Sequence, residues 1–277
     1  MIFSDSHSPV HGALLKVVRA EERLANLTAL IQTYSEANPT QIEKKLDPAT
    51  GDRVFRVRIL SAPPVEWSID IGEIVHGLRT SLDHLAWQAV IQNGRQPGRD
   101  TAFPVAESEA KFPTLLDRCL GGVGQPFRDF VRRLRPFKGG DPILWPLHQL
   151  DVIDKHRLLI PVGAAHRSVS VRTRMSVPWQ PDPIVFPQLT LNPADRQFPL
   201  GDGAEIFRDC GTWPAEVHQD DPIFTFEVAF GEKDVVDGVA IVPTLRAMAS
   251  RVHEVVQVAA SVWASTLIVP PERGGHA

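Results

Sequence analysis

The 277-residue chain has few of the features that cross-link a protein through disulfides or metal ions, or that anchor it in a membrane. Its two cysteines, Cys119 and Cys210, are too few for a disulfide framework or an all-cysteine zinc site, so we expect reduced thiols. The least polar run, 255–269, is shorter than the roughly 20 residues of a membrane-spanning helix. The N-terminal residues lack the basic start and apolar stretch of a signal peptide. These absences favour a cytoplasmic protein without a membrane partner.

Positive charge is not in excess either. The net charge is −4 and the pI is near 6.2, so no global positive field would attract nucleic acid. An RNA site would therefore have to be a local patch, and the basic run between Arg128 and Lys138 is one candidate. Apolar residues make up 43% of the chain, which is ordinary for a globular protein that buries a core without staples.

The spacing of apolar residues predicts both helices and strands. A period near 3.6 predicts helices over 10–36, 69–92, 143–158 and 243–267, and two shorter ones within 107–137 around the glycine-rich turn 121–124. Alternation predicts strands over 53–60, 167–175, 184–191 and 223–230. The order favours an α+β fold, a helical bundle with an antiparallel β-sheet packed on it or inserted into it. We expect one compact unit over 1–277, in which 10–158 and 240–268 are mainly helical and 159–238 mainly β.

The predicted helix 69–92 has an apolar face and an ionisable face. On the ionisable face Glu73, His76, Arg79 and Asp83 stand three, three and four residues apart, so neighbouring side chains can touch. His84 lies at the edge of this row and Trp87 continues it, which suggests that water does not simply surround the face. Acid, imidazole and guanidinium groups placed together perturb one another's pKa values, as they do in functional sites. A solvated face with pairs one turn apart is the alternative.

A second polar cluster lies within the predicted helix 143–158. Asp154 falls between Leu147 and Leu150 on the apolar side, and a buried carboxylate needs a cation or several hydrogen-bond donors. His76, Arg79 and Lys155 are the candidate partners. We therefore expect Asp154 to pack against helix 69–92 and to join the two clusters into one site. The alternative is a local surface pair between Asp154 and a neighbouring cation.

Two motifs carry a resemblance to known proteins. Residues 72–85 read Gly-Glu-Ile-Val-His-Gly-Leu-Arg-Thr-Ser-Leu-Asp-His-Leu, and residues 154–157 read Asp-Lys-His-Arg. Together they resemble a group of uncharacterised bacterial proteins with a Gly-Asp/Glu-x-x-His-x-Leu-Arg-Ser/Thr-x-Leu-Asp-His-Leu helix and a later Asp-Lys-His-Arg. That resemblance brings no established activity with it.

A looser resemblance is to the HEPN superfamily, helical bundles that include metal-independent ribonucleases. Their motif is an arginine, four to six residues and a histidine on one helix, which Arg79 and His84 match. The resemblance implies RNA as the partner, no cofactor and a site often shared across a homodimer. It implies that Arg79 clamps the scissile phosphate and that His84 is the acid–base residue. On a helical wheel the two lie about 140° apart.

The remaining expected site residues follow from this arrangement. His76, Asp83 and Asp154 would support catalysis, and substrate would be bound by Trp87, Lys155, His156 and Arg157. The leading expectation is thus a HEPN-like protein that binds or cleaves RNA. As an enzyme, a metal-independent endoribonuclease is favoured over a metal-dependent hydrolase or oxygenase.

Two other hypotheses about the function stay open. Glu73-x-x-His76 has the spacing of carboxylate-bridged di-iron bundles, so a divalent metal is the alternative cofactor. Its alternative ligands are Glu73, His76, Asp83, Asp154 and His156. The third reading is a non-catalytic scaffold, in which a buried polar network fixes the register of the helices.

Overall fold

The computed structural model describes residues 8–186, 189–191, 200–209, 217–219, 221–232, 234–236 and 238–267. Within these ranges the helices are α1 (His11–Glu36), α2 (Glu66–Gln92), α3 (Phe112–Leu120), α4 (Gln125–Leu134), α5 (Leu144–Asp154) and α6 (Ile241–Leu267). The strands are β1 (Thr40–Leu46), β2 (Arg53–Ile59), β3 (Pro161–Val171), β4 (Thr173–Met175), β5 (Ile184–Val185), β6 (Leu189–Leu191), β7 (Glu205–Asp209), β8 (Val217–Gln219) and β9 (Ile223–Phe230). The fold is α+β, as the sequence predicts.

Contacts divide the chain into two units. The helical unit comprises 8–27, 68–159 and 242–267, and the sheet unit comprises 28–67 and the described part of 160–241. Residues 28–67 group with the sheet because β2 pairs antiparallel with β7. The prediction of one compact unit over the whole chain stays a prediction.

The sheet unit contains three-stranded antiparallel sheets with the orders β1-β2-β7, β6-β3-β9 and β5-β4-β8. β2 and β9 lie where alternation predicts them. The predicted strand 167–175 is broken at Arg172 into the end of β3 and β4. The predicted strand 184–191 gives β5 and β6, while residues 187 and 188 lie outside the described residues.

Strand β1 is absent from the sequence prediction because it lacks an apolar face. It reads Thr-Gln-Ile-Glu-Lys-Lys-Leu, and none of its residues is buried. It pairs with β2 and lies at the edge of its sheet. Charged residues are typical of edge strands, where they discourage pairing with other chains. Edge position, rather than burial, therefore explains this strand.

The predicted apolar face of α2 is confirmed and forms the centre of the helical unit. Its members are all fully buried: Ile71, Ile74, Val75, Leu78, Leu82, Leu85 and Ala89. Each large aliphatic side chain contributes about 1.5–3 kcal/mol on burial, so together they fix the rotation of α2 about its axis. That rotation decides where the polar residues of α2 point. None of the helices within the described ranges has the length and apolar character needed to cross a membrane.

Asp141 attaches the N-terminus of α5 to α6. Its Oδ1 accepts hydrogen bonds from the backbone N–H groups of Ile143 (2.9 Å) and Leu144 (2.8 Å). Its Oδ2 accepts one from Nε of Arg251 at 2.9 Å. The Asp141 side chain is buried, so each of these donors meets a carboxylate that has few competing waters. One side chain thus sets the start of α5.

We expect Asp141→Ala to lower the free energy of unfolding by about 2–4 kcal/mol, because the helix start and a half-buried guanidinium lose their acceptor. Chemical denaturation of the purified variant measures this. The control is Asp129→Ala, which removes an exposed pair with Arg132 and should change stability by less than about 1 kcal/mol. Similar losses in the two variants would contradict the role assigned to Asp141.

Candidate functional site

Helices α2 and α5 meet along a row of side chains that we call the α2–α5 ladder. Three pairs, each about one helical turn from the next, join the helices: Gly72 with Asp154, His76 with Asp151, and Arg79 with His148. Residue numbers rise along α2 as they fall along α5, so the helices are antiparallel here. The ladder lies within the helical unit.

The middle pair contains a fully buried carboxylate. Asp151 is 1% exposed, and its Oδ1 lies 2.8 Å from Nδ1 of His76. Its Oδ2 lies 2.5 Å from Nζ of Lys155, one turn along α5. Both oxygens therefore have a donor, which offsets the cost of burying the charge. The His76 side chain is 56% exposed, and its Nε2 lies 3.3 Å from the hydroxyl of Thr80.

Asp151, and not Asp154, is the buried carboxylate of α5, which corrects the sequence prediction. Asp154 is half-buried and is the last residue of α5. It packs on the backbone of α2 at Gly72, where an added methyl group would overlap its carboxylate. Burial raises the pKa of the Asp154 carboxyl, and the negative charge of Asp151 raises it further. The predicted packing of Asp154 against α2 is therefore present, but two of its expected partners, His76 and Lys155, pair with Asp151 instead.

Arg79 and Asp83 both form hydrogen bonds with the backbone of one residue, Phe103. Nη2 of Arg79 donates to the Phe103 carbonyl at 2.8 Å, and the Phe103 N–H donates to Oδ1 of Asp83 at 2.8 Å. The same Oδ1 lies 2.8 Å from Nη1 of Arg79. An ion pair one turn apart on α2 thus satisfies both backbone groups of Phe103. It attaches the irregular segment 102–107 to α2.

The third pair of the ladder fixes the state of His148. Nε of Arg79 donates to Nδ1 of His148 at 3.3 Å. Burial, followed by the positive charge of Arg79, lowers the pKa of His148 to about 4. The ring is therefore neutral at pH 7, and because Nδ1 accepts a hydrogen bond, its hydrogen sits on Nε2. His148 is a fixed, uncharged donor.

A pocket of about 650 Å³ opens beside Arg79 and His148. The segment 102–107 forms one wall, and residues from α3 and the turn before it form another, including Lys111 and Arg118. Glu107 also lines it and accepts a hydrogen bond from Gln149 at 2.9 Å. The pocket thus combines an apolar wall with several cationic side chains.

One donor group of the Arg79 guanidinium, Nη1, lacks a well-aligned hydrogen-bond acceptor within the described part of the chain. The residue is 6% exposed, and Nη1 has no aligned hydrogen-bond acceptor among the described residues. Its contact with Asp83 is short, but the angle does not suit a hydrogen bond. A buried donor without an acceptor costs about 1–3 kcal/mol, more when it is charged. Since Arg79 lines the pocket, an anionic ligand there could supply the acceptor.

His84 and Glu73 do not join this group. The His84 ring lies against α1, where a side chain added at Gly12 would come within 3.1 Å of its Nδ1. Glu73 forms an ion pair with Arg23 of α1. Arg79 and His84 therefore contact different elements, as their separation on the helical wheel implies. The paired arrangement that the HEPN resemblance implies for them is not formed.

The expected substrate-binding residues also lie away from the pocket. Trp87 is 46% exposed, so it does not shield the polar face as we expected. Lys155 is paired with Asp151. His156 and Arg157 are exposed beyond the end of α5, where Nη1 of Arg157 donates to the carbonyl of Leu158. None of the four lines the pocket.

Most of the basic run is engaged within the helical unit. Arg128 pairs with Asp117, and Arg132 pairs with Asp129. Arg135 and Lys138 lie over the rings of Phe137 and Trp145, respectively. These partners use cations that a phosphate patch on this run would need.

No group of three or more histidine, cysteine, aspartate or glutamate side chains in the described part of the chain is arranged to hold a metal ion. The five alternative ligands have other surroundings. Glu73 faces Arg23, His76 faces Asp151, and Asp83 faces Arg79. Cys119 is a free thiol in the pocket wall whose pKa is raised by burial, while Cys210 lies outside the described residues.

Comparisons with models of protein families, with curated proteins and with solved structures returned no match to this chain. Function must therefore be inferred from the chemistry of the site itself.

Sequence reasoning missed several residues of the site, for two different reasons. His148 and Asp151 stand three apart on α5, so a helical wheel could have placed both beside α2. Phe103 and Arg118 gave no signal, because the first lies in an irregular segment and the second on the exposed side of a short helix. Only the folded chain brings them to Arg79.

We expect Gly72→Ala to destabilise the protein by about 1–3 kcal/mol, because the new methyl group overlaps the Asp154 carboxylate. Gly77→Ala on the same helix is the matched control. Its methyl group would meet Ala20 at an ordinary 3.7 Å, so better helix propensity should stabilise it by up to about 1 kcal/mol. Denaturation curves compare the two. Introduced together with Asp154→Ala, Gly72→Ala should become stabilising; a persistent loss would contradict the proposed contact.

His148 should make stability depend on pH with a defined sign. Its pKa is about 4 in the folded protein and near 6.5 in an unfolded chain, so between these values the unfolded state binds more protons. Stability should therefore fall as the pH is lowered through this window, by up to about 1.4 kcal/mol per pH unit. His148→Gln should lose this component, as measured by denaturation from pH 4.5 to 7.5. The control is His156→Gln, and identical trends in both variants would refute the assignment.

Proposed function

We propose that the protein binds RNA by holding a phosphate in the pocket beside Arg79. The observation that carries the proposal is the buried guanidinium of Arg79, a residue that lines the pocket and whose Nη1 has no aligned acceptor among the described residues. Arginine presents a planar fork of donors that matches a phosphate. The resemblance to the HEPN superfamily supplies RNA as the ligand class.

The rest of the pocket supports an anionic ligand of nucleotide size. Arg118 and Lys111 add two positive charges, against the single carboxylate of Glu107 in the lining. The volume of about 650 Å³ lies within the range of pockets that hold small organic ligands. The apolar wall around Pro104 and Val105 suits a base or a ribose.

The arrangement favours binding over cleavage. Cleavage by the 2′-hydroxyl needs a base within hydrogen-bond reach of that hydroxyl. His84 lies against α1, and His148 already uses Nδ1 to accept from Arg79, so its other nitrogen donates. The described residues that line the pocket therefore include donors for a phosphate and no free imidazole base.

A scaffold role is the second candidate. It is favoured by the hydrogen bonds that attach the backbone of Phe103 to Arg79 and Asp83. The two candidates differ in a measurable way, since a scaffold alone has no affinity for RNA.

We expect Arg118→Ala to weaken RNA binding by about tenfold, because a cation of the pocket is lost while the Arg79 network is left intact. Fluorescence polarisation with a labelled single-stranded RNA, in chelator and at fixed low salt, measures the affinity. The matched control is Arg133→Ala, an exposed arginine of α4 outside the pocket, which should bind as the wild type does.

The same samples, run on a denaturing gel, should contain intact RNA. Equal affinity in all three proteins would reject the pocket as the site. If none of them binds RNA, the proposal is rejected in favour of the scaffold. If the wild type cleaves the RNA and Arg118→Ala does not, the proposal that the protein binds RNA without cleaving it is rejected.

A further inference from the structure

Resting on the proposed function, we infer that the pocket receives a terminal phosphate end-on, rather than a phosphodiester from the middle of a strand. The ligand class is then an RNA with a phosphorylated end, or a nucleoside monophosphate. Two features support it: the side chain of Arg79 is buried, and other donors and cations line the pocket with it.

The position of Arg79 limits how a phosphate can reach it. Its side chain is 7% exposed and is held by His148 through Nε and by the Phe103 carbonyl through Nη2. An internal phosphodiester carries a nucleoside on each side, and both would have to enter the pocket with it. A phosphate at the end of a strand has one such neighbour, so it can reach a buried donor alone.

The charges and donors of the pocket also match a phosphomonoester. Such a group carries a charge between about −1.5 and −2 near pH 7 and has three strong acceptor oxygens. A phosphodiester carries a single negative charge on two free oxygens. Arg79 and His148 line the pocket, and Arg118 and Lys111 add two cations against Glu107. More donors and more positive charge are available than one diester uses.

The neutrality of His148 adds selectivity for the ligand's shape rather than for charge alone. Because Arg79 occupies Nδ1, the hydrogen on Nε2 cannot move to the other nitrogen without breaking that bond. A donor whose hydrogen stays on Nε2 of His148 favours a ligand that places an oxygen opposite that nitrogen. A loosely held backbone phosphate gains less from such a donor.

The test compares one short RNA sequence, labelled internally, in three forms that carry a 5′-phosphate, a 3′-phosphate or two hydroxyl ends. We expect one phosphorylated form to bind about tenfold more tightly than the hydroxyl form, the effect of one charge-assisted hydrogen bond. Unlabelled nucleoside monophosphate should compete for that form, and inorganic phosphate should compete more weakly.

A pocket-filling variant locates the effect. Thr114 lines the pocket from the exposed side of α3, so Thr114→Trp should abolish the preference for a phosphorylated end without disturbing the Arg79 network. The matched control is Glu109→Trp, an exposed position in the preceding turn that does not line the pocket. It should keep the preference.

The outcomes separate this inference from the proposed function. Equal binding of all three RNAs, still weakened by Arg118→Ala, overturns the end-on inference and leaves RNA binding intact. Binding of the nucleoside monophosphate but of no RNA supports the end-on pocket and overturns RNA as the ligand. A preference that survives Thr114→Trp overturns the location, and no binding of any probe overturns both.

Discussion

The antiparallel contact between α2 and α5 is the constraint on which the candidate site depends. Seven fully buried residues of α2 fix its rotation, and the α2–α5 ladder then fixes its distance and register relative to α5. The buried Asp151 is the central element, because its two oxygens are satisfied only when His76 and Lys155 are both in place. A shift of one turn between the helices would separate Asp151 from His76 and leave one oxygen of a buried carboxylate without its donor, which is far more costly than losing an exposed pair.

Arg79 shows how one residue serves structure and chemistry together. Its Nε and Nη2 groups hold His148 and Phe103, and its charge lies beside Asp83. A lysine would place one point charge there and could not hold partners in three directions. These bonds hold the guanidinium in one orientation at the edge of the pocket.

The sequence predicted the elements better than the site. Helix α2 could be predicted because seven apolar positions follow the helical period and all of them are buried. Strand β1 could not be predicted because its residues, many of them charged, include none that is buried. Asp151 and Asp154 lie about one turn apart on α5, and their spacing alone does not show which of the two α2 covers. The pocket wall comes from a segment without periodicity, so local sequence carried no information about its meeting with Arg79. The helical wheel did separate Arg79 from His84, and the structure gives them different neighbours.

The attachment of Phe103 through its main chain has an evolutionary consequence. Because Arg79 and Asp83 bind the carbonyl and the amide rather than the ring, the anchoring of this wall does not depend on which side chains the segment carries. Residues such as Ala102 and Val105 can then change in size or polarity while the anchor remains. A chain that keeps the arginine–aspartate pair would be free to change the lining of this pocket without rebuilding its helical frame.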